Sequence, residues 1–194
     1  MPAILLQLAP GEAERNHSLC FGFGAGVHPS HHQAFEDRFS FPLVESWSMT
    51  EVGGAAAVVA SEEPRHVGSR CFGRPHDSME FKLVDDEGHS VPRGQTGELL
   101  VRAGHPNPRA GFFSGYANQP ELTEAAWADG WFHTGDMVRE GEDGSLHFVD
   151  RSKSIVRRSG ENIASLEVES VLNQIPAVRA VGVGPWTTNC AARR

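Results

Sequence analysis

The sequence predicts an α/β (α+β) fold. A βαβ unit comes first, a strand-rich region of barrel or small-sheet form follows, and a helix lies near the end. Three observations predict it. Glycines 22, 24 and 26 separate a short apolar run from an amphipathic stretch; Met79, Phe81 and Leu83 alternate with polar neighbours; and Val168, Val171, Leu172 and Ile175 recur at i, i+3, i+4 and i+7.

Each element has its own signal. Residues 18–23 read as a short buried strand, and the three glycines then open a tight loop. Ser30 and Gln33 fit a capping box, with Ser30 as N-cap and Gln33 reaching back. Ala34, Phe35 and Phe39 give the ensuing helix an apolar stripe, Pro42 marks its end, and residues 42–45 read as the second strand. Strand, glycine turn, helix, strand is the βαβ rhythm.

Beyond Gly68 the rhythm becomes β. Asp86, Glu87 and Gly88 make a turn, and residues 98–102 read as another strand. Asn118 caps a short helix that Gly130 ends. Residues 137–140 and 145–149 flank Glu142-Asp143-Gly144, a hairpin signal. The last helix carries Glu167 and Glu169 in its first turn, where the helix dipole favours anions, and Pro176 stops it. Residues 178–183 read as one more strand, and 184–194 show no period.

Composition narrows the function. The 194 residues hold 17 basic and 25 acidic side chains, a net charge of −8, and no strong basic cluster. That balance excludes a dedicated nucleic-acid binder, which needs Lys and Arg on phosphates. The longest apolar run, near Ile4–Leu6, is far short of the roughly 20 residues that a membrane helix requires, so no membrane span is expected. Cys20, Cys71 and Cys190 share no metal or redox spacing, and the first residues show no basic leader; a reducing, cytoplasmic compartment is expected.

Several segments carry candidate chemistry. Gly22, Gly24 and Gly26 open a loop that a nucleotide could approach, and Glu45 stands where a ribose-binding acid would fall, but the third glycine of the dinucleotide fingerprint is absent, which favours a plain tight turn. His28, His31 and His32 read as a solvated helix start rather than a metal set. In Glu45-Ser46-Trp47-Ser48-Met49-Thr50-Glu51, an indole able to stack on a base precedes a hydroxyl for a phosphate and a carboxylate for a hard cation; a strand end with a buried tryptophan fits equally. Asp136, after Gly135, can accept two vicinal hydroxyls or serve as a turn residue. Arg151 reads as a partner for it or as a surface charge.

Taken in order, the segment around Trp47–Glu51, then Gly97-Glu98-Leu99-Leu100-Val101-Arg102, Gly115-Tyr116 with Pro120-Glu121, Trp131-Phe132-His133-Thr134-Gly135-Asp136, and residues 150–162 closely resemble the adenylate-forming (AMP-binding) superfamily. That superfamily comprises acyl-CoA synthetases, peptide-synthetase adenylation domains and luciferases. The wording from Arg151 to Ile163 is most similar to the crotonobetaine/carnitine–CoA ligase branch. The resemblance runs over about residues 20–183.

The resemblance implies the C-terminal part of the large adenylate-forming domain over residues 1–150, with the βαβ segment at 1–60 and the strand-rich subdomain at 61–150. The start of the small C-terminal domain would then occupy 151–183, and an irregular tail 184–194. Enzymes of the family activate a small carboxylic acid with ATP and pass the acyl group to coenzyme A. On that pattern Gly24, Ala25 and Gly26 line the adenine and acyl pocket. Glu45, Ser46, Trp47, Ser48 and Met49 belong to the nucleotide site, with Trp47 as the stacking aromatic. Thr50 and Glu51 are catalytic, Thr50 on phosphate and Glu51 on Mg2+. Asp136 and Arg151 hold the ribose, Lys153 is the hinge, and Gly160 borders the CoA channel.

Departures also carry expectations. Ser48 replaces the glycine that usually follows the aromatic. This sequence contains neither the family's Ser/Thr/Gly-rich phosphate loop nor its late lysine. Each donor removed from a transferring phosphate costs about 3–4 kcal/mol, so the chain alone is expected to be inactive: a fragment, or one part of a split ligase whose partners are the missing parts. The alternatives are a non-catalytic AMP-binding remnant and a small dinucleotide-binding protein.

Overall fold

A computed structural model describes residues 2–158, 161–175, 177–178 and 181–184. Helix α1 (Pro2–Gln7) leads through a short 3-10 turn to strand β1 (Gly22–Gly24), helix α2 (Pro29–Phe39) and strand β2 (Leu43–Trp47). β1 and β2 pair in parallel, Gly22 opposite Leu43 and Gly24 opposite Glu45, so this is a βαβ unit as expected. β3 (Val58–Val59) then pairs antiparallel on the other side of β2.

The boundaries differ from the sequence reading for local reasons. The first strand lies later and includes two glycines predicted in the loop. A Cβ on Gly24 would overlap Val27, and one on Gly22 would stand 3.0 Å from the Phe41 ring. Helix α2 is capped by His28 rather than Ser30, because the His28 ring accepts from the Ser30 N–H and Pro29, which has no N–H to satisfy, takes the first helical position. Gln33 does not reach back but donates to Asp37 at 2.8 Å. Of the histidines read as solvated, His32 is only 2% exposed: its Nε2 meets the Leu43 carbonyl at 2.7 Å, and its Nδ1 accepts from Gly68 N.

The strand-rich region contains β4 (Cys71–Gly73), β5 (Met79–Val84), β6 (Thr96–Ala103), helix α3 (Pro120–Ala125), β7 (Trp127–Ala128), β8 (Trp131–Glu140) and β9 (Leu146–Arg151). Its strands form one antiparallel sheet in the order β4-β9-β8-β6-β5, with β7 also on β8. Alternation in β5 buries Met79 and Leu83, as read. Asn118 lies one residue outside the α3 cap with a φ of 59°, and Gly130 closes the β7–β8 turn instead of ending the helix. The β8–β9 turn is held by the Asp143 carboxylate, which accepts from both Ser145 N and Ser145 Oγ.

After β9 a turn at Ser152–Ser154 leads to the antiparallel pair β10 (Ile155–Arg158) and β11 (Glu161–Ala164), then α4 (Ser165–Leu172). Val171 and Ile175, assigned to the helix's apolar stripe, are exposed, because no described element covers that side. Residues 181–184 form no strand; Pro176, residues 179–180 and 185–194 lie outside the described residues.

One core joins both sheets. Trp47, Val52 and Val58 from the first region pack with Phe72, Leu99, Val101, Phe132, Val138 and Leu146 from the second. A separate cluster of Val27, Phe35 and Leu43 seats α2 on its sheet, with Leu5 and Leu6 of α1 against it. The C-terminal end of β2 therefore lies at the seam between the sheets.

Candidate nucleotide site

That seam holds a cavity of about 170 Å³ lined by Ala25, Gly26, Glu45, Ser46, Trp47, Ser48, Arg70, Phe72, Asp136, Phe148 and Arg151. Every strand that reaches it does so at an end or an irregularity. β1 stops at Gly24, and Gly26 turns with φ +63°, which puts backbone rather than side chain on the cavity rim. β2 delivers Glu45, Ser46 and Trp47 in succession, and β8 and β9 bring Asp136 opposite Arg151 in register.

Asp136 is the centre of the polar network. It is 2% exposed; its Oδ2 accepts from the Trp47 indole N–H at 2.8 Å, across 89 residues of sequence. Its Oδ1 lies 2.8 Å from Arg151 Nε as an ion pair, but that N–H is not aligned on it, so the buried Oδ1 has no hydrogen bond. Burial pushes the Asp136 carboxyl above its ordinary pKa, while the Trp47 N–H and the Arg151 charge pull it back. The Trp47 ring is 6% exposed and lies nearly parallel to Phe72, with centroids 5.9 Å apart.

Glu45 is a second buried carboxylate in the cavity, 3% exposed. Burial raises its pKa to about 7, against hydrogen bonds from the Val27 and Gly26 N–H groups and the Arg70 charge. The cavity thus pairs two carboxyl groups with two guanidinium groups. Ser46 Oγ donates to the Gly24 carbonyl at 3.3 Å.

Other residues singled out in the sequence lie elsewhere. Gly24 is in β1, not on the cavity wall. Met49 packs against the main core. Thr50 is exposed, and Glu51 follows it on the turn, its Oε1 accepting from the Tyr116 hydroxyl at 3.1 Å. Lys153 is exposed in the turn between β9 and β10. Gly160 lies outside the described residues. Sequence reasoning missed Arg70, Phe72 and Phe148; no motif marks them, since their place follows only from β4 pairing with β9.

Size alone does not mark a site. A larger hollow, about 510 Å³ and walled by Val58, Pro64, Arg74 and Pro75, contains none of these residues. Among the described residues no three His, Cys, Asp or Glu side chains gather as a metal cage, and no helix is long and apolar enough to cross a membrane.

A mixed α/β chain with a polar cavity at the seam of two sheets matches a known family. Residues 2–116 match the AMP-binding enzyme family, and the chain belongs to it. It is 33% identical over 187 residues to a sulfoacetate–CoA ligase of Cupriavidus necator, covering 93% of this chain and 35% of that protein. It is 34% identical over 151 residues to a crotonobetaine/carnitine–CoA ligase of Proteus mirabilis, covering 77% of this chain and 28% of the relative. Its fold is similar to that of an O-succinylbenzoate coenzyme A synthetase from Bacillus subtilis in complex with ATP and magnesium ion (TM-score 0.72, 28% identity, covering 94% of this chain and 36% of that one). The chain therefore spans about a third of the length of the relatives it matches.

Proposed function

We propose that this chain forms part of an ATP-dependent acid–CoA ligase and that the seam cavity holds the ribose and base side of the nucleotide. The observation that carries the reading is the buried, hydrogen-bond-free Oδ1 of Asp136. Oδ1 is held by the charge of Arg151 without an aligned hydrogen bond, so it can still accept one, and a ribose hydroxyl would supply it. At about 170 Å³ the cavity is below the range of sites that enclose a whole drug-sized ligand, so it grips one portion of the nucleotide and leaves the phosphates outside.

In the reaction a substrate carboxylate oxygen attacks the α-phosphorus of ATP, the bond to the β-phosphate bridging oxygen breaks, and pyrophosphate leaves. The CoA sulfur then attacks the acyl carbon of the adenylate, and AMP departs with the electron pair. Asp136 and Arg151 orient the ribose, Trp47 presents its indole to the base, and Thr50 donates to phosphate. Ala25 and Gly26 admit the base against bare backbone, with Gly24 beneath them. Glu51 is a single, half-buried carboxylate on the turn after β2, which suits Mg2+, a cation usually held by one or two carboxylates together with phosphate oxygens; when bound, it would neutralise phosphate charge. Residues 151–183 begin the small domain, which turns about Lys153; an exposed side chain in a three-residue turn supports that role. A reducing, cytoplasmic setting completes the reading, and Cys20 and Cys71 are both free thiols.

The Gly22–Glu45 unit falls within the family match, so it is part of the AMP-binding fold rather than a separate dinucleotide-binding protein. Isothermal calorimetry with the 194-residue chain is expected to show AMP binding, weakened at least tenfold by Asp136→Asn. Pyrophosphate release with carnitine, crotonobetaine or a short fatty acid is expected to be absent for the chain alone. No AMP binding would overturn the nucleotide reading, and turnover would overturn the predicted inactivity.

A further inference from the structure

We infer that Glu98 is a positioning residue for Asp136, holding open the β-bulge from which Asp136 enters the seam cavity; the inference deepens the ribose reading and rests on it. The β6–β8 register slips at this point. Glu98 faces Met137 and Leu100 faces His133, so the single residue Leu99 on β6 stands against Thr134, Gly135 and Asp136 on β8. Bulges of this kind re-aim side chains and are common beside functional sites.

Unpaired backbone in a bulge needs other partners, and side chains supply them. Gly135 N donates to Glu98 Oε1 at 3.1 Å, and Glu98 Oε2 meets His133 Nδ1 at 3.1 Å. One carboxylate thus clamps both sides of Thr134. From the opposite face, Thr134 Oγ1 donates to the Leu99 carbonyl at 2.7 Å and accepts from Asp136 N at 3.0 Å. Gly135 turns with φ +69°, a conformation that glycine adopts at no steric cost.

The clamp acts on geometry across the strand. Along β8, His133 and Gly135 face Glu98, whereas Thr134 and Asp136 point to the buried side with Phe132 and Val138. Without the Glu98 acceptor, Gly135 N–H would lose its partner and the bulge could slide back towards regular pairing. β8 carries two extra residues here, so closing the bulge would slide one side of it by two positions along β6; each side chain would keep its face, but Asp136 would be carried along the strand away from Trp47 and Arg151. Glu98 touches no nucleotide in this scheme; it works through Asp136.

The test uses the full chain and two ligands, AMP and dideoxyadenosine monophosphate, which lacks both ribose hydroxyls. The wild-type chain should prefer AMP. Glu98→Ala should cut that preference at least fivefold, whereas Glu98→Gln, which can still accept from Gly135 N and face His133, should keep it within twofold. A purely structural loss would weaken both ligands alike and leave the ratio intact. Glu98→Asp, one methylene too short to reach both partners, makes the same comparison if the alanine variant does not fold. An unchanged ratio in a folded Ala or Asp variant overturns the inference alone. A wild-type chain that binds both ligands equally, or neither, overturns the ribose reading and the inference with it.

Discussion

Glu45 is a buried cavity carboxyl whose protonation changes near neutral pH. Its folded pKa is about 7 against an ordinary 4.5, so the folded chain holds a proton that the unfolded chain releases. Stability from this group is complete below pH 4.5 and is lost as pH rises through 7. The full effect is on the order of 3 kcal/mol as an upper value. Asp136, also raised by burial, adds in the same direction. His28 and His147, lowered by burial, act in the opposite direction, so the Glu45 contribution is read as a difference: in urea melts between pH 5 and 8 the stability of the wild type relative to Glu45→Gln, whose amide oxygen can still accept from Val27 N, should fall as pH rises. A wild-type-minus-variant difference that is flat or rises across that interval would contradict the assignment.

At the scale of elements, the hold of α4 on the sheet depends on one carboxylate. Asp150 is 2% exposed; its Oδ2 accepts from Ser165 Oγ and Leu166 N, both at 3.0 Å, and its Oδ1 accepts from Arg151 N. A carboxylate on helix N-terminal amides satisfies donors that the helix cannot. Asp150→Ala should destabilise α4 by about 1–3 kcal/mol, read as faster amide exchange in residues 165–172 with β5 and β6 unchanged. Exchange that is equal in both variants would show that α4 is held elsewhere.

The elements also show what a sequence can reveal. β5 was legible because Met79 and Leu83 alternate with polar neighbours along one half-buried surface, and the β8–β9 hairpin because Asp143 and Gly144 carry their own turn chemistry. Trp47, Asp136 and Arg151 could be singled out from the sequence because their motifs are local, and the structure places all three around one cavity. Arg70 was not, since its place on the cavity depends on pairing with a strand nearly 80 residues away. The cap of α2 lies two residues before the expected one because the His28 ring did the work expected of a serine hydroxyl. The bulge was hidden as well: Thr134-Gly135-Asp136 reads as a motif, but nothing in its spacing reveals the slip against β6.

For the molecule as a whole, the weak margin is β1. It stands at the end of its sheet, and Leu19, Phe21 and Phe23 beside it are 57%, 53% and 63% exposed. An edge strand with open backbone groups and aromatic neighbours is a template for another chain. Sedimentation velocity should show self-association that grows with concentration, and Phe23→Lys should reduce it. A wild-type chain monomeric across the concentration range would remove this role from β1.

The hydrogen bond from Trp47 to Asp136 also orders events in time. Joining partners 89 residues apart demands a long loop closure before any contact rewards it. On the ribose reading proposed above, nucleotide recognition waits for that closure and should be among the last properties a refolding chain regains, returning no sooner than the near-ultraviolet signature of its indoles.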